Sequence, residues 1–295
     1  MRRVAFETVD VFTERRFGGN PLAVFTDAHG LETAEMQALA AEMNLSETTF
    51  VLPPEDPAHT ARVRIFNRTT EMPFAGHPSI GTAFVIARAS KVVRDALILE
   101  VPAGLVAVAI ERNADGEVLG GKITAPQPLS LGEEVPAETI AACIGIDPQD
   151  IVVDAHRPIL ASVGNPYVIA QITEAAVSRC VPDMKAFRRA ADERPHLNGR
   201  FSLHVYARDG NHLHARMFAP LAGTFEDPAT GSANAPLGAM LLRLTTNAEA
   251  RYTVRQGEEM GRPSLLHLTA SRREDAIIAT VAGRCVPVLQ GYAQL

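Results

Sequence analysis

Aromatic residues are scarce in this sequence: tryptophan is absent, and Phe, Trp and Tyr together make up 5% of the 295 residues. A platform of aromatic rings for stacking nucleic-acid bases is therefore not expected. Basic charge is also in the minority, because 28 Lys and Arg face 34 Asp and Glu, which leaves a net charge of −6. A nucleic-acid-binding domain normally concentrates basic residues on one face. We therefore expect no nucleic-acid partner.

Cysteine is rare and follows no motif. The three cysteines, Cys143, Cys180 and Cys285, are odd in number, lie far apart and form no CxxC pair. This pattern argues against a disulfide framework and a structural zinc site, and we interpret all three as small buried apolar side chains. Such thiols fit a reducing compartment, so we expect a cytoplasmic protein.

Long apolar runs and common cofactor motifs are missing too. No run approaches the roughly 20 residues that span a bilayer, and Glu7 and Asp10 interrupt the first segment, so we expect neither a signal peptide nor a membrane partner. The sequence has no HExxH, GxSxG, Walker A or GxGxxG motif, and His212 and His214 have no third ligand nearby. We therefore expect no metal and no cofactor.

The composition that remains is that of a globular protein with an ample core, since 46% of the residues belong to the apolar set and 21% are charged. The length suggests two domains. Short alternating runs predict strands, and one helix is predicted from about Thr33, as N-cap, to near Asn44. Segments 78–87 and 233–242 have apolar residues nearly all round at helical spacing, which predicts two helices buried against sheet.

The two halves carry similar turns. Gly164-Asn165-Pro166 echoes Gly19-Asn20-Pro21 at an offset of 164 − 19 = 145, and residues 229–232 parallel residues 75–78 at an offset of 229 − 75 = 154. Each of the latter turns precedes one of the two apolar helices. The repeated order predicts two similar α/β domains that arose by internal duplication.

Each apolar helix begins beside small residues, at Gly76-His77 and at Gly231-Ser232. A helix N-terminus presents N–H groups and the positive end of the helix dipole, which attract carboxylates. If a pseudo-twofold axis relates the halves, both ends would face one cleft suited to a small anionic substrate. The alternative is that these glycines serve only their turns.

Three polar residues near these turns have a plain and a functional interpretation. Glu47 is either a solvated surface residue or a carboxylate at an apolar edge, where its pKa would rise from about 4.3 and suit acid/base work. Asp227 either caps a turn or contacts a ligand. Arg68 either sits at the surface or binds a substrate carboxylate.

Four co-linear blocks together resemble the signature blocks of the PhzF (phenazine biosynthesis) family, of the diaminopimelate-epimerase-like superfamily. The blocks are FGGNPLAV at 17–24, NLSET at 44–48, FAGHPSIGTA at 74–83 and EDPATGSA at 226–233. The resemblance implies an α/β (α+β) fold of two similar domains, each a curved, mostly antiparallel sheet wrapped around a central buried helix. It places the domains at 1–126 plus about 284–295 and at 127–283, with the active site in the cleft between them.

The resemblance also implies roles for individual residues. Glu47 matches the family's catalytic carboxylate, which takes a proton from one substrate carbon and returns it to another. His77 and Asp227 match polar partners of the substrate's amino and carboxylate region. The remaining substrate-binding positions lie at the two helix starts, namely Gly76, Gly231 and Ser232. Such chemistry needs no cofactor, and relatives are commonly homodimers.

Epimerases of this fold use two thiols, which the turns place near Ala75 and Pro228; neither is a cysteine. A two-cysteine racemase is therefore rejected. Where many relatives have Thr-Pro, this chain has Asn67-Arg68, and Ser79 replaces a common Thr. These departures leave the substrate open.

The sequence thus predicts a cofactor-independent isomerase that relocates a proton in a small unsaturated or cyclic (amino) acid, with trans-2,3-dihydro-3-hydroxyanthranilate as the model substrate. Two alternatives remain: a non-catalytic small-acid-binding protein, and an acid epimerase that uses Glu47 together with a second base.

Overall fold

The computed structural model describes residues 2–90 and 92–295, and within them the chain is a mixed α/β protein in which strands dominate. The α-helices are α1 Thr33–Met43, α2 Gly76–Ala89, α3 Ala137–Ile144, α4 Glu174–Val177, α5 Met184–Asp192 and α6 Gly231–Arg243. The strands are β1 Arg3–Val11, β2 Asn20–Phe25, β3 Glu47–Leu52, β4 Ala61–Phe66, β5 Glu71–Met72, β6 Ala96–Val101, β7 Gly104–Arg112, β8 Val118–Thr124, β9 Ser130–Glu134, β10 Ile151–Val152, β11 Ile159–Ser162, β12 Pro166–Ile172, β13 Leu203–Asp209, β14 His212–Ala219, β15 Thr224–Asp227, β16 Glu249–Gln256, β17 Ser264–Arg273 and β18 Ala276–Gln294.

The chain folds into two compact units. The first consists of Met1–Thr124 and Ala282–Leu295, and the second of Ala125–Val281. The long strand β18 contributes residues to both units. Its last part pairs antiparallel with β1, from Val11 opposite Cys285 to Arg3 opposite Gln294, so the C-terminal segment completes the first unit.

Each unit repeats one order of strand pairing. In the first unit β2 pairs parallel with β3, β3 antiparallel with β4, β4 parallel with β6, and β6 antiparallel with β7. The second unit has the same alternation from β12 through β13, β14 and β16 to β17. Other strand pairs are antiparallel, for example β1 with β2 and β11 with β12. The predicted repetition of one α/β architecture is confirmed.

One buried helix lies at the centre of each unit. Helix α2 packs against β1, β2, β3, β6, β7 and β8, and eleven of its 14 residues are buried. Helix α6 packs against β11, β12, β16 and β17, with eleven of its 13 residues buried. Both apolar segments were predicted as buried helices, which is confirmed, although α6 begins at Gly231, two residues before the predicted Ala233.

The three cysteines are buried and free, as predicted. Burial raises the pKa of Cys143 to about 12 and that of Cys180 to about 11, so these thiols stay protonated and unreactive near neutral pH. Across residues 2–90 and 92–295, no helix has the length and apolar character needed to cross a membrane.

Candidate active site

In the first unit, the start of a strand meets the start of the central helix. Glu47 is the first residue of β3 and lies beside Leu22 of the parallel strand β2. His77 is the second residue of α2. Oε2 of Glu47 lies 3.5 Å from Nε2 of His77, and the two side chains are 16% and 7% exposed. The structure therefore brings together two of the predicted site residues and leaves the carboxylate partly accessible.

The Glu47–His77 contact is one between a carboxyl group and a neutral ring. Burial lowers the pKa of His77 to about 3, because the charged imidazolium would lose its hydration. The imidazole is therefore uncharged near pH 7, and 3.5 Å is longer than an ordinary hydrogen bond. A neutral ring at this position can donate to or accept from a polar group of a ligand.

The first turn of α2 has the features of an anion site. Ala75 is its N-cap residue, and its methyl side chain makes no capping hydrogen bond. Gly76 follows, and a Cβ at this position would lie 3.3 Å from Cδ1 of Ile123. Glycine therefore avoids a tight contact with Ile123, and the N–H groups of a first helical turn are the kind of group that binds a small carboxylate.

The second unit has a similar polar group at the start of its central helix. Gly231 and Ser232 are the first two residues of α6, whose N-cap residue is Thr230. Oγ of Ser232 lies 2.7 Å from Oη of Tyr167, the second residue of β12. The Tyr167 ring packs against Met217, Ala219 and Ala233. A hydroxyl pair thus stands at the start of α6, as Glu47 and His77 stand at the start of α2.

Asp227 ends strand β15 and is 8% exposed. Its Oδ2 accepts a hydrogen bond of 2.5 Å from Oγ1 of Thr230. The side chain therefore closes the turn before α6, as one of the two interpretations has it, and the contact with a ligand stays a prediction.

The helix starts offer a second way to compare the two turns. Gly231 and Gly76 are both first residues of their helices, which gives an offset of 231 − 76 = 155. By this offset the N-cap Ala75 corresponds to the N-cap Thr230, whereas the aligned turns place the second thiol position near Pro228. Neither Pro228 nor Thr230 is a cysteine, so both comparisons lead to the same prediction against a two-thiol racemase.

Other polar residues singled out from sequence lie elsewhere. Arg68 is half-buried in the segment between β4 and β5. His212 is exposed, whereas His214 is buried, with Nδ1 2.8 Å from Glu174 and Nε2 3.1 Å from Glu259. Within the described residues no group of His, Cys, Asp and Glu has the arrangement of a metal site.

Sequence reasoning missed several groups next to the predicted residues. Tyr167 contacts Ser232, and a buried set formed by Gln256, Asn234 and His204 lies behind Thr230. The one signal for Tyr167 was its place directly after the repeated Gly-Asn-Pro turn. The others come from strands and a helix that only the folded sheet brings together.

Comparisons with known proteins agree with this architecture. The family model described as phenazine biosynthesis-like protein, PhzC-PhzF, matches residues 9–291. An uncharacterized isomerase of Mesorhizobium japonicum is 38% identical, with 96% of each chain covered. A trans-2,3-dihydro-3-hydroxyanthranilate isomerase of Pseudomonas aeruginosa is 37% identical over 98% of this chain and 99% of its own. These names support an isomerase, and the substrate stays open.

Solved structures show the same fold. The PhzF-family phenazine biosynthesis protein of Bacillus anthracis superposes with a TM-score of 0.89 at 26% identity, with 100% of each chain covered. A hydroxyproline epimerase of Agrobacterium vitis superposes with a TM-score of 0.64 at 13% identity, covering 100% of this chain and 93% of that one, which concerns the fold alone. The predicted fold and family are confirmed: the chain belongs to the PhzC-PhzF family of phenazine biosynthesis-like proteins.

Proposed function

We propose that this chain is a cofactor-independent isomerase that relocates a proton within a small unsaturated or cyclic acid, with Glu47 as the single acid and base. The observation that carries the proposal is the contact between the partly accessible Glu47 carboxyl group and the neutral His77 ring at the start of α2. It combines a proton acceptor, a neutral hydrogen-bonding group and a helix N-terminus within one unit.

In the proposed reaction Glu47 takes a proton from one carbon of the substrate. The electrons of that C–H bond form a new double bond to the neighbouring carbon, and the electrons of the existing double bond move to a second carbon. The protonated Glu47 then returns the proton to that second carbon. Conjugation within the substrate stabilises the charge that develops, and the N–H groups at the start of α2 would lower its energy further. His77 and Asp227 orient the amino and carboxylate groups, and Gly76, Gly231 and Ser232 contribute N–H and hydroxyl contacts.

A comparison of the two units supports proton relocation over epimerisation by two bases. Leu22 and Glu47 are paired residues of β2 and β3, and Val168 and Leu203 are paired residues of β12 and β13. When the two Gly-Asn-Pro turns are aligned, Tyr167 is the equivalent of Leu22. The β12–β13 register, extended by one residue, then sets Ser202 beside Tyr167 as Glu47 lies beside Leu22. The position that corresponds to Glu47 is therefore a serine, which does not titrate near neutral pH. This favours a single base.

As substrate we propose trans-2,3-dihydro-3-hydroxyanthranilate, the compound named for the relative from Pseudomonas aeruginosa. That the residues of both units serve one substrate, and that the protein is a homodimer, are further parts of the proposal. Light scattering on the purified protein measures whether it is a homodimer. A double-mutant cycle between His77 and Asp227 tests whether the residues of both units serve one substrate. Coupled losses in kcat/KM support one site, whereas strictly additive losses argue against it.

The test of function is direct. The purified protein is incubated with trans-2,3-dihydro-3-hydroxyanthranilate, and the product is followed by NMR before and after dialysis against EDTA. We expect a positional isomer at an unchanged rate after dialysis. Binding without conversion would support the small-acid-binding protein instead, inversion at one carbon would support the epimerase, and a loss of rate on dialysis would contradict cofactor independence.

A further inference from the structure

A set of buried side chains joined by hydrogen bonds lies behind the N-cap of α6. Its members come from β13, β15, β16, α6 and the turn before α6. Gln256, Asn234 and His204 are fully buried, and Thr230 and Asp227 are 7% and 8% exposed. An amide, an imidazole and a hydroxyl buried in this way cost free energy unless they bond to one another. We refer to these five residues as the Gln256 network.

Gln256 is the central member of the Gln256 network. Its Nε2 donates to the backbone oxygen of Asp227 at 2.8 Å and to Oγ1 of Thr230 at 3.1 Å. Its Oε1 accepts from the backbone N–H of Thr230 at 3.3 Å and from Nδ2 of Asn234 at 2.8 Å. One side chain thus ties the last residue of β15 to the N-cap of the helix.

The bonds of the Gln256 network have one consistent direction. Oγ1 of Thr230 accepts a hydrogen from Gln256, so its single hydrogen is directed to Oδ2 of Asp227, which it meets at 2.5 Å. Nδ2 of Asn234 uses its two hydrogens on Thr230 O and Gln256 Oε1, so that the Asn234 Oδ1 is left to accept from His204. Each hydrogen is used once, and the chain of donors ends on the Asp227 carboxylate.

His204 fixes the other end of the Gln256 network. Its Nε2 lies 3.1 Å from Oδ1 of Asn234, and burial lowers its pKa to about 4. The ring is therefore neutral near pH 7 and, since Asn234 offers an acceptor, carries its hydrogen on Nε2. This orientation holds the Asn234 amide, which in turn orients Gln256.

We infer that Gln256 is a positioning residue for the isomerase reaction: through Thr230 it fixes the orientation of the Asp227 carboxylate at the start of α6, and Asn234 and His204 hold Gln256 in place. The inference rests on the proposed role of Asp227 in substrate binding. It extends the site by residues that do not touch substrate, of which His204 lies in β13, Asn234 in α6 and Gln256 in β16.

The test compares five variants by kcat/KM for trans-2,3-dihydro-3-hydroxyanthranilate and by urea unfolding. Gln256→Met keeps the length of the side chain and removes all of its hydrogen bonds. Thr230→Val keeps the shape of the side chain and removes its hydroxyl. We expect both to lose about 10- to 100-fold in kcat/KM, as misplaced substrate-orienting groups do. Thr230→Ser restores the hydroxyl and should stay within about threefold of wild type, since the same bond can form.

Gln171→Met is the matched control for the Gln256 network. Gln171 lies in the same unit, and its Oε1 accepts from the hydroxyl of Tyr206 at 3.2 Å. Both Gln→Met variants lose the hydrogen bonding of a side-chain amide, but only Gln256→Met should lose catalytic efficiency. If Gln256→Met fails to fold, the comparison of kcat/KM between Thr230→Val and Thr230→Ser tests the same positioning role.

The positioning role is overturned if Gln256→Met and Thr230→Val lose stability yet keep wild-type kcat/KM while Asp227→Asn is impaired. Full turnover by Asp227→Asn would instead overturn the role of Asp227, and the positioning role with it. If the wild-type protein does not convert the substrate, the proposed function fails separately. Binding of anthranilate, which carries the same amine and carboxylate, then decides the positioning role: weaker binding by Gln256→Met and Thr230→Val supports it, and unchanged binding contradicts it.

Discussion

Oε2 of Glu47 lies 3.5 Å from Nε2 of His77, which joins the first residue of strand β3 to the first turn of helix α2. The carboxyl group is partly accessible, whereas the ring is buried and, because of that burial, neutral near pH 7. The contact therefore places a proton acceptor next to an uncharged polar group and a helix N-terminus. The predictions below follow from this contact and from its surroundings.

The first prediction concerns the pH dependence of folding stability. Burial lowers the pKa of His77 to about 3 in the folded protein, whereas an unfolded histidine titrates near 6.5. Below about pH 6.5 the unfolded chain binds a proton at His77 that the folded chain does not. The contribution of His77 to the free energy of unfolding is therefore at its full value above that pH, where the ring is neutral in both states. It falls as the pH drops toward 3.

Urea unfolding at pH 7.5 and pH 5 measures this effect. His77→Gln should lose less stability between the two pH values than wild type does, by about 2 kcal/mol. His212→Gln replaces an exposed histidine and should behave like wild type. Equal losses in wild type and His77→Gln would show that His77 does not titrate in this way.

The second prediction concerns Tyr167, whose hydroxyl lies 2.7 Å from that of Ser232. Tyr167→Phe removes the partner that orients Ser232, and one hydrogen bond contributes about 1 kcal/mol. We expect KM for the substrate to rise about fivefold with little change in kcat. Tyr206→Phe also removes a bonded hydroxyl in the same unit and should leave KM unchanged. A fall in kcat at constant KM would place Tyr167 in the chemical step instead.

The third prediction concerns the turn before β2. Gly19 has a φ of +61°, and a Cβ there would overlap the backbone oxygen of Val11 and lie 2.7 Å from Cγ2 of Thr13. Gly116 has a φ of +84° with open space around it. Both Gly→Ala variants carry the backbone strain of a positive φ, but only Gly19→Ala adds overlap. We expect Gly19→Ala to cost about 2 kcal/mol more in urea unfolding than Gly116→Ala does; equal costs would contradict the overlap.

Local signals predicted much of the fold. Asn44 ends α1 as predicted, in the left-handed conformation with a φ of 53°, and its N–H donates to the oxygen of Ala40. The predicted N-cap Thr33 is wrong by one residue. Glu32 caps the helix, because its side chain and that of Glu35 form a reciprocal capping box. Average cap preferences favour threonine over glutamate and cannot foresee such a pair.

The candidate site was predictable only in part. Glu47 and His77 lie in contiguous blocks that can be recognised in the sequence, although their mutual distance cannot. Gln256 was out of reach, because its neighbours depend on the parallel register that sets Ala215 beside it. Side chains that meet through such long-range strand pairing leave no local pattern in the sequence.

The most direct test of the central claim is turnover of trans-2,3-dihydro-3-hydroxyanthranilate by Glu47→Gln, which keeps the shape of the side chain and removes the base. Glu42→Gln, at an exposed position of α1, is the matched control. We predict that kcat falls by about 100- to 10,000-fold in Glu47→Gln and is unchanged in Glu42→Gln, with both variants folded. Wild-type turnover by Glu47→Gln would contradict the assignment of Glu47 as the single acid and base.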